Sequence, residues 1–151
     1  DIMNRYRESG LDRTLTLYRV PSGFALQAHS RLGQLYAHLH NHSQALRHSL
    51  FSVIMIATEM VEAIRELDRT YEFSGVAPLL QAVNSFDELA PYRNSSGLDA
   101  SLYYLGAASY GEGAVSRAFE IWRLLQDRDN RWGRLARSQL QDPELVERYD
   151  D

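Results

Sequence analysis

Five histidines, three spaced glutamates, a glycine-rich run and scattered serines are the residues of this 151-residue chain that could carry chemistry. His38, His40 and His42 alternate, with His29 and His48 on either side, and imidazole is a common zinc ligand. His38 and His42 would share a helix face only if a helix ran on through Asn41, where the sequence predicts a turn. No acidic residue stands between His29 and Glu59 to complete a tetrahedral or facial set. The histidines are therefore expected at a hydrated helix end, near the negative pole of the helix dipole, and no metal is expected. Glu59, Glu62 and Glu66 lie at helical spacing on one face, where paired carboxylates could do acid–base or di-metal work. No Glu-x-x-His partner accompanies them, so a solvated face is expected. The serines lack a G-x-S-x-G elbow and an assigned base. The run from Gly106 to Gly113 holds three glycines but neither a preceding strand nor a phosphate-binding lysine, and reads as close helix packing followed by a turn. No catalytic activity and no cofactor are expected.

Composition narrows the classes further. The chain is 44% hydrophobic and 24% charged, with a net charge of −4 and no basic run, which argues against phosphate-backbone recognition and hence against a nucleic-acid partner. Its apolar stretches are too short to span a bilayer, so no membrane insertion is expected. Cysteine is absent, which removes disulfides, thiolate metal sites and cysteine nucleophiles, and leaves cytoplasmic and bacterial periplasmic locations both compatible. All 16 basic residues are arginine; without lysine there is no Schiff-base chemistry. The opening at Asp1, with neither methionine nor an apolar signal segment, fits a mature form.

The elements that must position any site are signalled by an internal echo. Leu32-Gly33 is followed twelve residues after the glycine by Ala45, and Leu105-Gly106 at the same interval by Ala118. Two short antiparallel helices touch closely only where small residues face each other, and this spacing predicts a helical hairpin used twice.

The spacing resembles the tetratricopeptide repeat, a unit of roughly 34 residues with a Leu-Gly pair and an aromatic in its first helix and an alanine in its second. In the first copy Leu32, Gly33, Tyr36 and Ala45 carry the resemblance, with His40-Asn41-His42 where the family has a glycine-led turn. In the second they are Leu102, Leu105, Gly106, Gly113, Ala118 and Trp122, with Ser109 and then Tyr110 near the aromatic position. Neither copy has the family's closing proline. The two glycines lie 73 residues apart, slightly over two repeat lengths, so a divergent element must separate the hairpins.

The resemblance implies an all-α chain of antiparallel hairpins stacked as a short tetratricopeptide-like α-solenoid, one domain over 1–151. Repeat hairpins are expected over about 24–71 and 98–127, divergent short helices over 76–92 and capping helices over 131–149. A break at Ser9-Gly10 divides a first helical segment over 2–20; Thr14 to Val20 also alternates like a strand, but nothing nearby could pair with it. The helix over about 43–71 is apolar on every side from Leu50 to Ala57, so it must be covered all round, by further helices or by another subunit in a homo-oligomer. Pro78 is expected to start a short helix, Ser85-x-x-Glu88 to form a capping box for a helix that Pro91 stops, and Asn94 to Gly97 to be loop. Asp99 is expected as a helix cap and Asp142-Pro143 as the start of a last helix, with Arg134, Arg137, Gln139 and Gln141 as a polar outer face.

In tetratricopeptide arrays the first helices line a groove that takes a peptide or helix. By position, the resemblance places Gln27, Ser30, Gln34 and His38 from the first copy, and Tyr103, Ala107 and Tyr110 from the second, toward that groove, with the two tyrosines as preferred anchors. The carboxylate clamp of chaperone-binding members uses lysines, asparagine and arginine. Here Arg31 alone approximates one of them. The expected function is a protein-interaction module binding a partner peptide or helix, within a bacterial assembly. The rival from another class is a small-ligand-binding helical bundle with a pocket lined by Tyr36, Phe51, Met55, Tyr103 and Trp122; a metal-dependent hydrolase using the histidines is a third.

Overall fold

Caps and turns divide the chain into helices largely where the sequence marks them, and the exceptions have tertiary causes. The computed structural model describes residues 1–20 and 25–143, and every regular element among them is an α-helix. In chain order these are α1 (Ile2–Ser9), α2 (Leu11–Leu17), α3 (Ala25–His38), α4 (His42–Leu67), α5 (Val76–Ser85), α6 (Ala90–Ser95), α7 (Leu98–Gly111), α8 (Val115–Arg123) and α9 (Arg131–Gln141). The Asp1 carboxylate accepts the Asn4 backbone N–H at 2.9 Å and so starts α1. The stretch that alternates from Thr14 is helical to Leu17 and extended at Tyr18. The last helix expected at Asp142-Pro143 falls on residues outside the described range.

The echo in the sequence is an echo in the backbone. Hairpin α3–α4 turns with Asn41 N–H donating to Tyr36 O at 2.9 Å and His40 N–H to Ala37 O at 3.0 Å; hairpin α7–α8 turns with Ala114 N–H donating to Ser109 O and Gly113 N–H to Tyr110 O, both at 2.9 Å. Each pair maps onto the other at the same 73-residue offset. The fourth residue beyond the aromatic position adopts a left-handed backbone in both, φ +58° at His40 and +90° at Gly113. Glycine takes that conformation without steric cost, whereas a residue with a Cβ is strained there.

The close contacts also repeat, one helical turn beyond where the alanines predict them. A Cβ on Gly33 would stand 2.6 Å from Ser49 Oγ, and a Cβ on Gly106 2.5 Å from Trp122 Nε1, each partner sixteen positions after its glycine. Small residues do not face each other in the second copy. Instead the bare backbone of α7 admits an indole edge, and Trp122 Nε1–H donates to Tyr103 O at 3.2 Å. Ala45 and Ala118 are fully buried beside these contacts.

Other boundaries move for local reasons. Helix α4 ends at Leu67 rather than near Tyr71, because the Asp68 carboxylate turns back to accept both Thr70 N–H at 3.0 Å and Thr70 Oγ–H at 2.6 Å. Helix α5 begins at Val76, two residues before Pro78, its first N–H captured by the Asp12 carboxylate of α2 at 2.8 Å. The capping box at Ser85 does not form. Ser85 closes α5, its hydroxyl donating to Ala82 O, and Pro91 sits in the first turn of α6 instead of stopping a helix, so residues 94 and 95 are helical rather than loop.

Helices α4 and α7 form the centre. The apolar middle of α4 is covered within the chain, chiefly by α3 on one side and α7 on the other, with α1, α2 and α5 adding to its edges. Of the two coverings expected for it, further helices of the same chain supply this one. Helix α7 packs against α3 and α4 of the first hairpin, against its own α8, and against α6 and α9. From Leu98 to Ser109 all but Ala100 of its residues are buried.

Two consequences are measurable by denaturant unfolding. Gly106→Ala should destabilise by about 1–3 kcal/mol through overpacking against the rigid indole, whereas Gly33→Ala should cost less and recover in part when Ser49→Ala removes the hydroxyl, the Ser49 backbone N remaining 3.1 Å from the added Cβ. His40→Gly should stabilise by about 1 kcal/mol because it relieves the left-handed strain. A neutral Gly106→Ala or a destabilised His40→Gly would contradict the turn and contact geometry above.

Candidate functional site

Helix α3 leaves most of its surface unsealed. Only Gly33 and Ala37 are fully buried on it, so the remaining positions face a neighbour's edge or solvent. Leu35 and Leu39 are 51% and 64% exposed, with Leu32 and Tyr36 half-buried beside them. Of the residues expected at a groove, Gln27 and Arg31 stand exposed on α3, and Ser30 and Gln34 are half-buried. His38 is exposed at the helix end, its ring 6.2 Å from Tyr104. These five share one helix.

The residues expected from the second copy do not join them. Tyr103 and Ala107 are 0% exposed, which removes both from any surface. Helix α9 covers that side of α7: Trp132 lies 5.8 Å from the Tyr103 ring, and Gln139 Nε2–H donates to the Tyr103 hydroxyl at 3.1 Å. Gln139 is itself 0% exposed, so the polar outer face expected of α9 loses one member to a buried hydrogen bond. Tyr110 is half-buried with its ring 6.0 Å from Trp122. The rival pocket is likewise divided, since Met55, Tyr103 and Trp122 are core while Tyr36 and Phe51 lie at the surface of the first hairpin.

That surface holds a cluster the sequence reading missed. His29 of α3 and His48 of α4 meet at 2.8 Å between their Nδ1 atoms. Phe51 stacks on His29 with centroids 5.3 Å apart, and Tyr36 stacks on His48 at 5.6 Å, nearly parallel. The signal was the hairpin itself, since antiparallel helices about a turn at His40 bring together residues at comparable distances before and after it. Phe51 continues into a cleft of about 290 Å³ with Arg47, Tyr18, Ile2 and Met3. Apolar side chains on α3, stacked rings between α3 and α4, and this cleft border one outer face of the hairpin.

The imidazole pair fixes the electrostatics of this face. A hydrogen bond between two Nδ1 atoms needs one ring to donate and the other to accept, so at least one ring must be neutral. Burial lowers the proton affinity of both histidines below the usual 6.5; the Arg47 charge pushes His29 the same way, and His29 and Arg47 push His48. Among the described residues no three histidine, aspartate or glutamate side chains are arranged to hold a metal ion. Of the glutamates, Glu59 accepts a hydrogen bond from the half-buried Tyr92 hydroxyl and so is not simply solvated.

No family model matches this chain, and neither a curated protein nor a solved structure matches it.

The histidine pair makes stability depend on pH with a defined sign. Folded-state proton affinities below those of the unfolded chain mean that the unfolded chain binds protons more tightly, so stability is complete above about pH 6.5 and falls as pH drops through it. Thermal melts from about pH 7.5 down to about pH 5 should show this loss, and a His29→Gln/His48→Gln variant should flatten it. An unchanged slope in the double variant would remove the pair from the effect.

Proposed function

We propose that the protein is a protein-interaction module that grips a partner peptide or helix along α3 and the outer face of α4, and that it has no catalytic activity of its own. The observation that carries this reading is the exposed pair Leu35, on α3, and Leu39, in the turn just past its end, whose N–H still donates to Leu35 O at 3.0 Å; the stacked rings of Tyr36, His48, His29 and Phe51 belong to the same hairpin. Side chains four apart on a helix share a face, and an apolar pair flanked by aromatic rings and hydrogen-bonding rims suits an amphipathic segment. Arg31 and Gln27 supply polar edges.

Support for a tetratricopeptide-like scaffold comes from the twin hairpins, with their matching turns and sixteen-residue contacts, and from α7 packing across both helices of the preceding hairpin. On this reading α5 and α6 are an insertion between the two copies. The groove belongs to the first hairpin alone, because α9 occupies the corresponding side of the second.

Leu35→Glu/Leu39→Glu should leave circular dichroism unchanged and shift stability by no more than about 0.5 kcal/mol, since both sites are exposed. Retention of a partner from the native source should fall about tenfold or more. Equal capture by the variant and the wild type would sink the assignment of α3.

A further inference from the structure

Away from the α3 face, one buried carboxylate serves two guanidiniums, one of them fully buried. Arg93 of α6 is 3% exposed, and its guanidinium has one hydrogen-bond partner among the described residues, Asp99 Oδ1 at 3.3 Å. Its Nε is buried with no partner. The Asp99 carboxylate is committed elsewhere, accepting from Arg128 Nε at 2.7 Å and Asn130 Nδ2 at 2.9 Å through its other oxygen. Two guanidiniums thus share one carboxylate. Burial weakens the hold of Arg93 on its proton, Asp99 opposes that, and the Arg128 charge adds to it. A buried cation with a missing partner costs far more than an exposed one.

Arg93 also borders a cleft. Arg93, Arg123 and Arg128 line a space of about 350 Å³ together with the amides of Gln81, Asn84 and Gln126. Asp127 lines it too and is exposed. Counting Asp99 behind the wall, three guanidiniums stand against two carboxylates. Arg123 is exposed, its cation placed over the Phe119 ring at 5.8 Å, and so can turn toward a ligand without breaking an ion pair. Planar guanidinium forks match the oxygens of phosphate and carboxylate groups, and side-chain amides supply hydrogen bonds to a polar remainder. The volume lies at the lower end for small-molecule sites.

We propose that this cleft between α5, α6 and the C-terminal end of α8 binds a small oxyanion, a phosphate ester or a carboxylate, through Arg93, Arg123 and Arg128. The bound anion supplies the charge that Asp99 divides between two arginines.

The test is thermal unfolding at constant ionic strength, with chloride as reference and inorganic phosphate or succinate as probes. In the wild type at least one probe should raise the midpoint in a saturable manner. Phosphate alone identifies the phosphate class and succinate alone the carboxylate class. Arg93→Met keeps the volume and removes the charge that Asp99 only partly offsets, so it should abolish the response. Arg123→Gln, at an exposed position, should weaken the apparent affinity about tenfold with the fold intact. No saturable shift with either probe overturns the proposal, as does an equal shift in the wild type and Arg123→Gln. If Arg93→Met does not fold, Arg123→Gln decides alone.

Discussion

Helix α7 can exist in water only if it is covered on all sides, and the rest of the molecule is arranged to cover it. Helices α3 and α4 form one wall, α8 another and α9 a third, while α6 closes its N-terminal end. Several polar groups that α7 carries inward are met by its neighbours, while the Ser101 hydroxyl is buried with no partner among the described residues. Ser109 Oγ–H donates to Leu105 O and lies 2.7 Å from the Tyr6 hydroxyl of α1; Arg7 of α1 binds Glu112 just beyond the helix end; Gln139 reaches Tyr103. Burial of Tyr6 raises its phenolic pKa well above the usual value, the Ser109 bond opposing it, so this contact stays neutral. An all-round apolar helix makes neighbours obligatory, and their polar groups determine which neighbour goes where.

The same constraint explains what the amino-acid sequence could disclose. The hairpin turns were legible because left-handed turns and glycine contacts leave spaced residues behind. Tyr103 was misplaced because a helix with no polar face gives periodicity nothing to orient it by. Asp99 was read as a cap from its local position, yet Gly97 occupies that place and Asp99 turns inward to Arg93, Arg128 and Asn130. Gln139 was read as surface because glutamine is usually exposed. Each error replaced a local preference with a tertiary partner. The histidine pair was hidden for a different reason, since it depends on hairpin register rather than on residue spacing along one helix.

The two hairpins differ in what they leave open. In the second, α9 lies across α7 and α8, and Trp122 fills the contact that Ser49 makes in the first. In the first, the outer face of α3 has no such cover among the described elements. One hairpin is thus covered and the other displayed, and the arginine-lined cleft lies beside the covered one, where α5 and α6 meet the end of α8. The apolar face and the charged cleft rest on different helices.

Helix α3 is joined to the molecule by a turn with a strained His40 and seals fully only Gly33 and Ala37. Elements that bury few side chains are the ones that open locally while the remainder stays folded. On the function proposed above, a partner seated across α3 and α4 binds the docked form of α3 in preference to the detached one, and by mass action it tightens the hairpin. Recognition on this face and the order of α3 are a single equilibrium seen from two sides.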